Sequence, residues 1–87
     1  MQIMEVVGNL IATRKDEKLV GSKFLVLKDY QAKDDSQLTV AVDLLGAGVG
    51  EKVLIVEGSS ARKALNRDDV AVDAVVVGIV DNIDIRE

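Results

Sequence analysis

Five separate stretches of this chain, some alternating apolar with polar residues and others short continuous apolar runs rich in β-branched residues, predict strands. The first covers residues 2–13: Met4, Val6, Gly8, Leu10 and Ala12 share one face, and Ile3, Glu5, Val7, Asn9, Ile11 and Thr13 share the other. Gly8 in mid-strand predicts a bulge or a sharp bend. A second strand is expected over residues 23–31, with Phe24, Val26, Lys28 and Tyr30 on one face. A polar turn over residues 32–36 leads to a third over residues 37–45. It places Leu38, Val40, Val42 and Leu44 on one side and Asp43 on the other. A short fourth strand spans residues 52–57, and the fifth spans residues 72–85, with Gly78 as its bend.

Between the fourth and fifth strands the period changes. Ala61, Ala64 and Leu65 fall at i, i+3 and i+4, which predicts one short helix ending near Asn66. Ser59 or Ser60 is its expected N-cap. Five short strands and one helix suit an all-β, OB-like five-stranded barrel. At 87 residues the chain fits one domain, 1–87. The charged run over residues 14–18 reads as a solvated loop.

The first and last strands are apolar on both faces. A barrel has one inner face, so Ile3, Val7 and Ile11 in the first strand, and Val75, Val77 and Ile79 in the last, are candidate subunit-interface residues. The alternative is that bulges switch the pattern and both sets are internal. Arg62, on the helix, either pairs with a carboxylate across a subunit boundary or occupies an unpartnered surface position.

Composition sharpens this picture by exclusion. There is no cysteine or histidine, so disulfides, thiolate or imidazole metal sites and the usual base for a serine nucleophile are all absent. No cofactor or metal is expected. Net charge is −4 and the aromatics are Phe24 and Tyr30 alone, a poor basis for a nucleic-acid surface. No apolar run approaches membrane-spanning length, and the first residues lack the pattern of a signal peptide. A cytoplasmic protein that is not an enzyme is expected, with neither nucleic acid nor membrane as a partner. The glycine-rich stretch 46–50 lacks the Gly-Lys-Ser/Thr ending of a phosphate loop, since Glu51 and Lys52 follow it. A tight turn is the expected reading. Asp43, Asp73, Asp81 and Asp84 are scattered at strand ends, where turn or interface hydrogen bonds explain them better than a cation site.

Three stretches carry a family resemblance. Residues 41–62, AVDLLGAGVGEKVLIVEGSSAR, resemble the central signature of the EutN/CcmL family. Residues 72–81, VDAVVVGIVD, resemble its C-terminal strand, and residues 6–15, VVGNLIATRK, its first strand. The resemblance implies an OB-like barrel assembled as a cyclic homopentamer that caps the five-fold vertices of a bacterial microcompartment shell. Its implied partners are further copies of itself and the hexameric and trimeric shell proteins of the facets. It also implies a narrow axial opening, for which Gly46, Ala47, Gly48, Gly58, Ser59 and Ser60 are the candidate lining residues, the helix start having backbone N–H groups that could face an anion. The competing reading is an OB-fold module that binds a small anionic ligand or single-stranded nucleic acid.

Overall fold

A computed structural model describes residues 1–11, 17–19, 21–33, 37–67 and 71–86. Its strands are Gln2–Leu10 (β1), Lys23–Asp29 (β2), Thr39–Asp43 (β3), Lys52–Glu57 (β4) and Ala74–Val80 (β5). They close into a barrel in the order β1-β2-β3-β5-β4. Helix α1, Ser59–Ala64, links β4 to β5, and a single 3-10 turn, Glu17–Leu19, lies between β1 and β2. All pairings are antiparallel except β3 with β5. Those two run parallel and meet only at Val42 with Val75 and Asp43 with Val76.

Two apolar clusters hold the barrel. The inner one gathers Met4, Val6, Leu25, Leu27, Ala41, Val53, Ile55, Ala74 and Val76, and Ala47 closes it from a loop. The second lies outside the strands, under α1. There Val42, Val72 and Val75 meet Ala61, with Phe24, Val56, Leu65 and Val77 packed around them. Burying each such Val, Leu or Ile contributes roughly 1.5–3 kcal/mol. The helix therefore acts as a lid on one outer patch of the barrel.

Both expected irregularities are present, and they change which side chains face out. In β1 the register slips between Val6, opposite Leu27, and Gly8, opposite Val26. Val7 is the extra residue, so beyond it the alternation flips and Leu10 joins the outer side with Ile3 and Val7. In β5, Gly78 pairs with Leu54 and Val76 with Ile55, which leaves Val77 as the extra residue. A Cβ on Gly78 would sit 3.4 Å from Leu54 Cβ, at close van der Waals contact with the neighbouring strand.

Several element limits differ from expectation. β5 stops at Val80 because its partner β4 begins at Lys52, opposite Val80, and no neighbour remains to continue the ladder. β3 is shorter at both ends, since Asp43 turns the chain out of the sheet directly afterwards. Of its apolar set Leu38, Val40, Val42 and Leu44, Val42 alone is buried and the other three are exposed. Neither serine caps α1. The N-cap is Gly58, with no side-chain cap hydrogen bond, and Ala64 is exposed rather than part of the apolar stripe. Ala12, Thr13, the first part of the charged run and the last part of the polar turn lie outside the described residues.

Candidate functional site

The most heavily organised surface feature is the loop from β3 to β4, residues 44–50, and one carboxylate builds its first half. Asp43 is 9% exposed. Its Oδ1 accepts the Leu45 N–H at 3.0 Å, and its Oδ2 accepts the N–H groups of Gly46 and Ala47, each at 3.0 Å. Glu51 organises the second half, its Oε1 accepting the Gly48 N–H at 2.7 Å. The Gly50 N–H donates to the Val6 carbonyl and the Val6 N–H donates to the Glu51 carbonyl, both at 2.9 Å, which ties the loop to β1. The methyl group of Ala47 points into the inner core. Gly46 and Gly50 adopt φ of 84° and 93°, which only glycine holds without strain.

This arrangement removes the phosphate-cradle reading on physical grounds. The amides that would face an anion already donate to Asp43, Glu51 and Val6. The expected tight turn is what forms, and Asp43 takes the turn role expected of it. At the helix start, one of the candidate amides is likewise engaged. Helix α1 has six residues, too few for a substantial macrodipole, and the Gly58 N–H donates to the Asp73 carbonyl at 2.8 Å. Among the described residues, no group of three or more His, Cys, Asp or Glu is placed to hold a metal ion. No described helix is long and apolar enough to cross a membrane. Phe24 packs against the cluster under α1 and Tyr30 is half-buried, so neither forms an open platform for a nucleobase.

The candidate opening residues divide into two groups at opposite ends of β4. Gly46 and Gly48 precede that strand, and Gly58, Ser59 and Ser60 follow it; all five are exposed. Six strand residues separate the groups by about 20 Å. Ala47 leaves the set, because its side chain is a core contact inside the protomer.

The candidate interface residues also divide. Ile3, Val7 and Val77 are half-buried, Val77 against the cluster under α1. Ile11 is exposed, and Ile79 is 37% exposed at the barrel end, opposite Val53 in register. Val75 is a correction. It is fully enclosed in its own protomer, because α1 covers the outer side of β5 there. Arg62 is half-buried, and its Nη1 donates to the Val72 carbonyl within the chain at 3.4 Å. The apolar surface that the sequence reading missed is the exposed set Leu38, Val40, Leu44, Leu45 and Val49. The alternation over residues 38–44 was the signal for it. Without the register, that face was indistinguishable from a core face.

Comparison with known proteins places this geometry. The profile of the family described as "Ethanolamine utilisation protein EutN/carboxysome" matches residues 1–81. The bacterial microcompartment shell vertex protein GrpN of Rhodospirillum rubrum is 42% identical over 86 residues, covering 97% of each chain. Its solved structure, a pentameric microcompartment shell protein, superposes with a TM-score of 0.84 at 40% identity, over 99% of this chain and 100% of that one. The Gloeobacter violaceus CcmL structure superposes with a TM-score of 0.86 at 40% identity, over 98% and 90%. The vertex protein EutN of Salmonella typhimurium is 41% identical over 85 residues, covering 95% and 86%. These relatives are structural shell proteins, not enzymes. The profile match, the identity and the superposition together show that the chain belongs to the EutN/CcmL family of microcompartment shell vertex proteins.

Proposed function

We propose that five copies of this chain close into a ring that caps the five-fold vertices of a bacterial microcompartment shell in the cytoplasm. Six-fold tiles alone make a flat sheet, and a closed polyhedron needs five-fold points. A head-to-tail contact that closes after five copies supplies one. The carrying observation is the full-length likeness to a pentameric shell protein. It is joined by an outer surface that keeps Leu10, Leu38, Val40, Leu44 and Leu45 exposed on a barrel whose core is already complete. The half-buried outer residues of β1, Ile3 and Val7, lie on the ring contact in this reading. The neighbours of the ring are the hexameric and trimeric proteins of the facets. Deleting the gene should leave shells that elongate or stay open in electron micrographs. Shells that close normally without it would contradict the role.

Where five copies meet, an axial opening follows. The two exposed groups at opposite ends of β4 are its candidate rims, Gly46 with Gly48 and Gly58 with Ser59 and Ser60. Replacing Ser59 and Ser60 by tryptophan should reduce small-molecule flux through assembled shells if the helix start forms the rim. Unchanged flux removes the transport role from that end.

A further inference from the structure

We propose that the loop over residues 44–50 is a preformed contact that each copy presses against the next, with Asp43 as its positioning residue; the proposal rests on the ring reading above. Three observations meet at this loop. It carries no charge, although 30% of the chain is Asp, Glu, Lys or Arg. It exposes Leu44, Leu45 and Val49, at 47%, 50% and 63%. Its backbone is nonetheless tied down along its length by Asp43, Glu51, the Val6 carbonyl and the buried Ala47 methyl.

Surface loops are ordinarily polar and mobile. An apolar loop held in one conformation has the character of an interface centre. The middle of a protein contact is depleted of charge, and a contact element ordered beforehand loses less entropy on docking. A second copy is the occupant that fits. The relative GrpN, 40% identical across its full length, is pentameric, and a ring needs a self-complementary pair of different patches. Asp43 does not touch the neighbour in this arrangement. It acts through the loop, because three amides converge on its carboxylate and set where Leu44 and Leu45 point.

The chain has no cysteine, so a single introduced thiol reports one position. The variants are Leu45→Cys and Val49→Cys, each labelled with a maleimide in the assembled protein and again in urea. Both thiols should react at least about tenfold more slowly in the ring than in the unfolded chain. Labelling at the unfolded rate in a protein whose native mass is five-fold overturns the loop contact and leaves the ring standing. A native mass of one chain overturns the ring reading, and this proposal with it.

Asp43→Asn tests the positioning. Its amide keeps the shape but sets an NH2 group against N–H donors. The variant should dissociate on dilution at a concentration roughly tenfold or more above wild type, with an unchanged barrel circular dichroism spectrum. Val49→Cys in that background should regain labelling speed, which a purely structural role in the barrel would not produce. An Asp43→Asn ring that dilutes like wild type overturns the positioning role. If the variant does not fold, the two thiol measurements in the otherwise native ring still decide the loop contact.

Discussion

Single side chains do several jobs here that their type alone would not reveal. Asp43 is an acid at a strand end, and in sequence it reads as an ordinary turn residue. The structure agrees, but the turn is elaborate: one carboxylate terminates β3 and orders the loop that follows. Replacing it with alanine removes the acceptor for three amides. That should cost about 1–3 kcal/mol per amide left without a partner, less whatever water recovers, measured as a lower urea midpoint. Gly58 carries another such job. It sits at φ 64° and ψ −140°, a conformation that glycine alone holds comfortably, and a Cβ there would touch nothing. Gly58→Ala should therefore destabilise by about 1–3 kcal/mol through backbone strain alone, seen as a lower melting temperature. The misassigned serine caps have the same origin. Ser59 and Ser60 are good capping types, but the sharp turn out of β4 needs a positive φ, and glycine takes the cap position.

At the scale of elements, strand positions were legible and strand faces were not. Alternation and short β-branched apolar runs located all five strands, and Gly8 and Gly78 marked the two irregular places. Each bulge inserts one residue, and one residue is enough to exchange inside for outside. Val75, Val77 and Ile79 read as a single face, yet they divide among the space under the lid, the lid's edge and the barrel end. The helical lid is the second reason. A six-residue helix hides Val75 completely, and no periodicity in β5 announces that cover. The two readings of Val75 give opposite outcomes for Val75→Asp. An interface position would yield a folded monomer. The enclosed position seen here should yield a chain that loses its native circular dichroism, because a buried unpaired carboxylate costs several kcal/mol. In the inner core, Ile55→Ala should lower stability by about 2–5 kcal/mol in urea unfolding, as expected for a fully enclosed side chain.

The whole molecule was the most legible scale. The stretches 41–62 and 72–81 carry the family pattern almost without interruption, and the profile match over residues 1–81 confirms it. The exposed apolar set on β3 and its loop gives a physical reason why the chain would not remain alone. A barrel of 87 residues buries a modest core, has no cysteine for disulfides, and gains by covering Leu38, Val40, Leu44 and Leu45. Its melting temperature should accordingly rise with protein concentration, since assembly favours the folded state by mass action.

The most direct measurement is the mass of the purified protein by native mass spectrometry. With one chain at 9.3 kDa, a closed five-fold ring predicts a dominant species of about 46 kDa, five times that mass. A 9.3 kDa species persisting at micromolar concentration would contradict the vertex role, since a lone barrel offers no five-fold point to a shell.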